Sequence, residues 1–284
     1  MPTTINTNMA SLSAQRALQS TNGSLSTSMQ RLSTGLRINS AKDDSAGLAI
    51  AERMTSQVRG MAVASRNAND AISMAQTADG GLAKVGESLQ RMRELAVQAS
   101  NESNSDSDKD NLSQEYQALA KEITRVVSAT GFNGKSLLSS NSVDTAFQVG
   151  AGTATEDSVS INFKASVADI VATKTADVTA STVVIDSTAT TSDIKDLIDN
   201  IDSMIDDVTT ARSYIGAQQN RFDGIVANLS INSENVAAAK GRIMDADFAT
   251  ESANLSRAQV LSQAGNTMLA QANQQPQQVL SLLR

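Results

Sequence analysis

The strongest pattern in the chain is an apolar side chain at every third or fourth position, over two long and separate stretches. The first stretch covers residues 51–99. Its apolar positions are Met54, Val58, Met61, Ala68, Ile72, Ala75, Leu82, Leu89, Met92 and Ala96. This spacing is typical of a helix that buries one face. Proline is absent between Thr3 and Gln275, so we predict one continuous helix from Asp44 to Ala99, about 80 Å long at 1.5 Å per residue.

The second stretch begins at Ile194 and holds the more regular of the two stripes. Its apolar members are Leu197, Ile201, Met204, Val208, Ala211, Ile215, Phe222, Ile225 and Leu229. Polar Gln218 is the one interruption of this series. Large apolar side chains in such a seam contribute ~1.5–3 kcal/mol each when they are fully buried. Because the two stripes can cover each other, the sequence predicts a mainly α fold built on a long antiparallel, coiled-coil-like helical rod.

The region between the two stripes predicts a shorter helix followed by a β-rich tip. A polar turn ends at Asp110, and Ser107 with Asp110 fits a capping box for a helix over 111–129. The turn sequence TGFNG at 130–134 ends that helix. Alternating segments at 145–149 and 159–163 predict a hairpin, and residues 183–185 add a candidate third strand. We therefore expect a small β-hairpin subdomain, about 138–192, at the far end of the rod.

The two terminal segments share a sparse apolar stripe among Ser, Thr, Asn and Gln. An isolated helix of this composition is marginal, so we expect each end to become helical only with a partner. The sequence Gln274-Gln275-Pro276 predicts a break in the C-terminal helix. The apolar tail beyond it predicts burial against a partner or another copy. The apolar positions of the C-terminal segment are Leu255, Leu261, Met268, Leu269, Val279, Leu280, Leu282 and Leu283.

A junction over 31–54 separates the N-terminal segment from the long helix. Gly35 predicts the end of the first helix, and Ser40 with Asp43 fits a capping box for the next one. This division predicts a rod over residues 44–239, flanked by two terminal segments, residues 1–43 and 240–284, that need a partner.

The composition argues against catalysis and against metal or cofactor binding. The chain has no Cys, no His and no Trp, so the commonest general base, nucleophile and metal ligands are missing. The carboxylate pairs Asp206-Asp207 and Asp245/Asp247 remain, without a recognisable cleft motif around them. Asp106, with Asp108 and Asp110, has the spacing of a calcium loop but lacks its glycine and closing glutamate. We expect no catalytic, cofactor-binding or metal residues.

The charge is concentrated in the middle of the chain. Ten basic and seven acidic residues lie in 1–99, nine and twenty in 100–239, and four and three in 240–284. No basic stripe with aromatic platforms occurs, which disfavours nucleic-acid binding. No apolar run approaches the ~18 residues of a membrane span. No signal-peptide pattern precedes Arg16, so any export would use a route that reads another feature.

Several longer motifs resemble those of bacterial flagellins. They include QRLSTGLRINSAKDDSAGLAIA at 30–51, LQRMRELAVQ at 89–98, RIMDADFATE at 242–251 and QAGNTMLAQANQQPQQVLSLLR at 263–284. Together with INTN at 5–8, SRNANDAISMAQTADG at 65–80, FNGKSLL at 132–138 and FQVG at 147–150, they cover about half of the chain in the family's order.

This resemblance implies a secreted structural protein that serves motility. Flagellins leave the cell unfolded through a type III export apparatus and add to the distal end of an extracellular filament under a cap protein. The implied partners are further copies of the chain, a dedicated export chaperone, and the cap and hook-junction proteins. Residues 1–43 and 240–284 would form one domain, paired as a helical coiled coil that lines the inner tube, with the rod outside it. The chaperone would bind the C-terminal helix and tail, which contain the eight apolar positions named above.

The resemblance also implies two innate immune recognition sites. The animal Toll-like receptor and neighbouring subunits would contact one set: Leu89, Gln90, Arg91, Glu94, Leu95, Gln98 and Glu115. The plant flagellin receptor would read the junction at Gln30, Arg31, Arg37, Ile38, Asn39, Asp43, Asp44, Gly47 and Leu48. Periodicity alone favours a plainer interpretation of the first set, a solvated helix face with side-chain pairs worth ~0.2–0.5 kcal/mol each.

Two other interpretations remain open at this point. The chain could be a flagellin-like hook–filament junction protein, although the C-terminal tail and 89–98 favour flagellin. The apolar seam alone also permits a coiled-coil adhesin or fibre protein.

Overall fold

A computed structural model describes residues 7–139, 144–163, 185 and 189–281, with side chains described up to residue 274. Its helices are α1 (Met9–Thr34), α2 (Ser45–Ala99), α3 (Asp106–Ala129), α4 (Thr191–Met244) and α5 (Phe248–Ser281). Its strands are β1 (Gly131–Phe132), β2 (Lys135–Ser136), β3 (Thr145–Gln148) and β4 (Ser158–Ile161), and a 3-10 turn covers Thr155–Asp157. The predicted mainly α fold is confirmed.

The chain forms two compact units. The terminal unit combines Met1–Gln57 with Glu234–Arg284, and the central unit is Val58–Ser233. Helices α2 and α4 each contribute to both units, because each extends across the boundary.

Within the central unit, α2 and α4 run antiparallel, as predicted. Arg93 Nη2 of α2 donates to Asp202 Oδ2 of α4 at 3.1 Å. About two turns further from the α2 C-terminus, Gly86 faces Val208, and about two turns beyond that, Asp79 accepts from Arg212 Nε at 2.8 Å. The residue numbers fall along α2 while they rise along α4, which defines the opposite directions.

The predicted stripe on α4 is the centre of the apolar core. Its members from Leu197 to Ile215, together with Phe222 and Leu229, are buried, and Ile225 is half-buried. The buried face of α2 is wider than predicted and also includes Ala71, Met74, Val85 and Leu95. The reason is that α2 contacts α3 on one side and α4 on the other, as the pairs Arg91–Glu115 and Arg93–Asp202 mark.

Helix α3 begins earlier than predicted. Ser105 is its N-cap, and the Asp108 N–H donates to Ser105 Oγ at 3.3 Å while the Ser105 N–H donates to Asp108 Oδ2 at 3.2 Å. The predicted capping box of Ser107 with Asp110 is therefore wrong by two residues. The motif Ser-x-x-Asp occurs three times in this turn, beginning at Ser103, Ser105 and Ser107, and the structure uses the copy at Ser105, whose backbone is extended.

Two antiparallel hairpins follow α3. Strands β1 and β2 are joined through Asn133 and Gly134, which both have a left-handed backbone. Strands β3 and β4 form the predicted hairpin, with Phe147 opposite Val159. Phe147 packs edge-to-face on Phe222 of α4 at a centroid distance of 5.7 Å. The candidate third strand at 183–185 lies outside the described residues except for Ile185, which is buried.

Within the terminal unit, α1 and α5 form the predicted antiparallel pair. Ser11 Oγ donates to Asn273 Oδ1 at 2.8 Å, and Ser262 Oγ donates to Asn22 Oδ1 at 3.2 Å. The buried positions of this seam are Ser11, Ser28, Glu251 and Ala258. Half-buried leucines lie between these positions, and Leu18 Cδ1 approaches Gly265 so closely that a Cβ there would lie 3.0 Å away. The two helices are thus held together by small and polar side chains and by leucines that stay partly exposed.

Helix α5 continues through Pro276 to Ser281, so the predicted break at Gln274-Gln275-Pro276 is wrong. Proline removes one backbone donor, but its fixed φ of about −65° is itself a helical value, so a helix can pass through it with one bond fewer. The side chains of Val279 and Leu280 lie outside the described part of the chain, as do Leu282 and Leu283 entirely.

Candidate assembly and recognition surfaces

The junction after α1 is held to the connection between α4 and α5. Gly35 ends α1 in the left-handed conformation (φ 71°), and its N–H donates to the Arg31 carbonyl at 2.8 Å. The Arg37 N–H then donates to the Met244 carbonyl at 2.6 Å, and the Ala246 N–H donates to the Gly35 carbonyl at 2.9 Å. The helix end predicted at Gly35 matches the structure, and these contacts fix the direction in which the chain leaves α1.

Asp43 and Asp44 have separate roles in the junction. Asp43 Oδ2 accepts the N–H groups of Asn39 and Ser40 at 3.1 and 2.9 Å. These bonds hold the pKa of the Asp43 carboxyl below its ordinary value, and the bond from Asn39 has the largest effect. They close a turn and do not begin a helix, so the predicted capping box at Ser40 and Asp43 is wrong. Helix α2 begins at Ser45, where Asp44 Oδ1 accepts the Gly47 N–H at 2.8 Å.

Gly47 lies where no side chain fits. A Cβ at this position would lie 2.8 Å from Ile38 Cδ1 and even closer to the Asp44 carboxylate. Ile38 is itself 2% exposed. Because Gly47 has no side chain, the capping carboxylate of Asp44 and the buried side chain of Ile38 can both pack against its backbone.

The nine junction residues predicted as the plant receptor epitope differ in exposure. Four are exposed: Gln30, Arg37, Asn39 and Asp43. Three are half-buried: Arg31, Asp44 and Leu48. Ile38 and Gly47 are buried. A partner approaching the folded chain can therefore contact about half of the predicted set directly.

The residues predicted as the animal receptor surface lie on α2 and α3 of the central unit. Arg91 donates to Glu94 of its own helix and to Glu115 of α3, each at 2.9 Å. The hydrogen bond to Glu94, and after it the one to Glu115, raises the pKa of the Arg91 guanidinium above its ordinary value. The three side chains are exposed, so solvent screens the pairing, and the solvated-face interpretation describes the isolated chain well.

Leu89 and Leu95 of the same predicted set are core residues. Their exposed fractions are 0% and 1%, and both belong to the apolar core that also contains residues of α3 and α4. The surface that a partner can contact consists of the other five members: Gln90, Arg91, Glu94, Gln98 and Glu115.

The apolar side chains of the terminal helices are only partly covered by the chain itself. Leu255 and Leu269 are half-buried, whereas Leu261 and Met268 are 52% and 62% exposed. The further exposed apolar side chains of α1 and α5 are Met9, Leu12, Met29, Phe248 and Val260. Part of the apolar stripe of α1 does lie in the seam with α5, since Leu18, Leu25 and Leu32 are half-buried beside the buried Ser11 and Ser28.

Within the described residues, the carboxylates do not form a metal centre, since no group of three or more lies close enough to hold an ion. A search of the same residues finds no helix that could span a bilayer. The central unit has an apolar core, and the paired terminal helices carry apolar side chains that the described chain leaves uncovered. These features define a helical structural protein with surfaces suited to self-association.

Comparison with known proteins identifies the family. The bacterial flagellin N-terminal helical region matches residues 5–143, and the bacterial flagellin C-terminal helical region matches residues 198–283. A flagellin of Halalkalibacterium halodurans is 45% identical over 281 residues, and a flagellin of Bacillus subtilis is 42% identical over 304 residues. Each alignment covers 99% of both chains. The chain belongs to the bacterial flagellin family, and it is a structural subunit of the extracellular flagellar filament.

A solved structure supports the fold. The chain is similar to a putative flagellar hook-associated protein from Vibrio parahaemolyticus with a TM-score of 0.58, over 72% of this chain and 100% of that chain. The sequence identity is 18%, so this likeness concerns the fold alone. The hook–filament junction interpretation gains no support from it beyond a shared architecture.

Proposed function

We propose that the chain is exported through a type III apparatus and then packs into the filament with its terminal segments innermost. In this proposal residues 1–43 and 240–284 line the inner tube. Residues 44–239 form the outer rod, with the β-rich tip at about 138–192. The observation that carries the proposal is the uncovered apolar surface of α1 and α5, of which Val260 and Met268 are 69% and 62% exposed.

The physical reason is the balance of forces in the terminal unit. The polar contacts between α1 and α5 are each worth about 0.5–1.5 kcal/mol net. Burial of apolar side chains stabilises more, at about 25 cal/mol per Å². Copies of the chain that cover one another's exposed apolar side chains would therefore gain what the isolated terminal unit lacks.

Seeded polymerisation tests this proposal. Purified monomers are expected to elongate fragments of filament, and a chain that lacks Val279–Arg284 is expected to keep its helix content but to stop elongation. A chain that lacks Arg284 alone is the control and should elongate normally. Full-length monomers that never elongate seeds would overturn the proposal. Normal elongation by the chain that lacks Val279–Arg284 would refute the prediction that the apolar tail is buried against another copy.

The proposal includes the partners of the export route. Before secretion, the export chaperone would shield the C-terminal helix and its apolar tail, and the cap and hook-junction proteins would contact copies at the two ends of the filament. We infer a structural role without enzyme activity. Turnover that is lost on changing Asp206 or Asp245 would contradict this inference.

We also propose that monomers are recognised by innate immune receptors at the two predicted sites. The exposure of Arg91 and Glu115 supports an animal Toll-like receptor contact, and the exposure of Asp43 supports a plant receptor contact. In a receptor reporter assay, Arg91→Ala should weaken the response to monomers. Arg125→Ala removes a similarly exposed arginine that pairs with Glu122, and it should leave the response unchanged. For the plant site, Asp43→Ala in a peptide of residues 30–51 should weaken the response.

A further inference from the structure

A groove of about 720 Å³ lies between α1 and α5 in the terminal unit. Its lining combines serine and threonine hydroxyls of α1 with Asn254, Arg257 and Leu261 of α5. Gly23 lies along it, and Arg31 and Glu251 line it as well. Two features of this groove have no explanation within a single copy of the chain.

The first feature is Gly23, in the interior of α1. A glycine inside a helix is less stable than alanine by about 0.5–1 kcal/mol. A Cβ at this position would meet nothing within 4 Å, and among the described glycines only Gly35 and Gly134 have the positive φ that favours glycine. No contact within the described chain therefore requires a bare backbone at Gly23. A second helix that approaches closely from outside would require it.

The second feature is the ion pair between Arg31, whose side chain is 31% exposed, and the buried Glu251. The Glu251 side chain is only 9% exposed, and Arg31 Nη1 lies 3.7 Å from its carboxylate, beyond hydrogen-bond distance. Arg31 Nε is buried without a hydrogen-bond partner among the described residues. Buried charges are costly unless they are hydrogen-bonded. A group that both donates and accepts would therefore be stabilised in this groove.

We propose that the groove receives the amide-rich stretch of α5 from a second copy, residues 263–274, with Gly23 as the point of close approach. This inference rests on the self-assembly described above. The stretch has no charged residue, and Ala264, Met268 and Gln271 are exposed along one face at helical spacing. Its Gln and Asn side chains can accept from Arg31 and donate to Glu251.

The geometry also suits an open filament. The groove is lined by residues 20–31 and 251–261, whereas the inserted stretch is 263–274, so the two surfaces in contact are different. A contact between two different surfaces leaves each copy with one free groove and one free stretch. Such a heterologous contact generates a helical filament when its rotation does not close into a ring.

The first test fills the groove. Gly23→Gln places a side chain there and is expected to leave the melting temperature of the monomer unchanged or higher, while seeded elongation slows by about tenfold or more, the effect of losing a contact of moderate strength. Ser26→Gln is the matched control, because Ser26 is exposed on the same helix outside the groove lining. It should elongate like the unmodified chain. Equal elongation rates for the two variants would overturn the proposal.

The second test reads proximity directly and uses the absence of native cysteine. Filaments are grown from a mixture of Gly23→Cys and Met268→Cys chains and then oxidised. The proposal expects several-fold more disulfide-linked heterodimer than in a mixture of Ser26→Cys with Met268→Cys. Equal yields would refute insertion into the groove and would leave the proposed self-assembly intact. Failure of the unmodified chain to elongate seeds would instead refute self-assembly, and with it the inference.

Discussion

The terminal and central units are both helical, yet their helices are held together in different ways. In the central unit, the faces of α2, α3 and α4 that meet are apolar, and residues such as Leu82, Ile215 and Phe222 are fully buried. In the terminal unit, Ser11 and Ser28 are buried in the seam, its leucines are only half-buried, and large apolar side chains such as Met268 are exposed. The central unit thus has its core inside one chain, whereas the terminal unit keeps part of its apolar surface for other chains.

This difference corresponds to two different tasks. A structural subunit needs one part that keeps its shape before assembly and another whose stability increases on assembly. The apolar core provides the first, because each fully buried large side chain stabilises by ~1.5–3 kcal/mol. The seam of the terminal unit provides the second, because its hydrogen bonds and half-buried leucines align α1 with α5 without using their outward apolar faces.

The largest expected effect comes from removing a core aromatic in the central unit. Phe222→Ala should lower the free energy of unfolding of the monomer by ~3–5 kcal/mol, because it leaves a cavity and removes the contact with Phe147. Leu261→Ala in the terminal unit is the comparison, and it should cost less than about 0.5 kcal/mol in the monomer because its side chain is half exposed. Chemical denaturation of both variants measures this. Similar losses would break the distinction between the two units.

The same contrast explains what the sequence could predict. The long stripes of α2 and α4 repeat over many turns, so the helices, their pairing and the core residues of α4 followed from periodicity. Helix starts depend on a few atoms, and the Ser-x-x-Asp motif at Ser40 marks a turn while that at Ser105 marks a helix. At Ser105 the Asp108 N–H donates to the serine hydroxyl as well as to the carbonyl, and the helix begins at the next residue, whereas at Ser40 the Asp43 N–H donates to the serine carbonyl and the helix begins only at Ser45.

The candidate surfaces were harder to predict than the fold. Leu89 and Leu95 share a motif with Arg91, but α2 turns them into the core because it contacts two helices and not one. In the terminal unit, the apolar stripe located Leu18 and Leu25 in the seam but gave no signal for the buried serines on either side of them. Glu251 was missed for a related reason: a lone glutamate on a polar helix gives no sign that α1 will bury it.

An acid titration should separate the two units by a smaller effect. In α5, hydrogen bonds from Thr250 and Ala249 lower the pKa of Asp247, and in α3 hydrogen bonds from Ser105 lower the pKa of Asp108. A lowered folded-state pKa stabilises the folded chain above the unfolded value of about 3.9, and this stability disappears as the pH falls through the folded value. Because the terminal unit has the smaller apolar core, α5 should lose protection before α3 as the pH falls from about 5 to 2.

Hydrogen exchange of the monomer, resolved by helix, measures this order. Asp247→Asn should weaken the dependence of α5 protection on pH and leave that of α3 unchanged. Loss of α3 protection first, or simultaneous loss in both helices, would contradict the assignment of lower stability to the terminal unit.

The smallest expected effect concerns the buried hydroxyl of Tyr116 in the core of the central unit. Tyr116 is 1% exposed, and its hydroxyl has no hydrogen-bond partner among the described residues. Burial also raises the pKa of this phenol, so it stays neutral. Because a buried unpaired hydroxyl costs ~1–3 kcal/mol of desolvation, Tyr116→Phe should leave the free energy of unfolding unchanged or raise it by about 1 kcal/mol.

Tyr214→Phe is the control, since the Tyr214 hydroxyl accepts the Asn162 N–H at 3.3 Å and its removal should cost ~0.5–1.5 kcal/mol. If Tyr116→Phe destabilises the chain as much as Tyr214→Phe does, the core of the central unit is not the apolar interior that distinguishes it from the terminal unit.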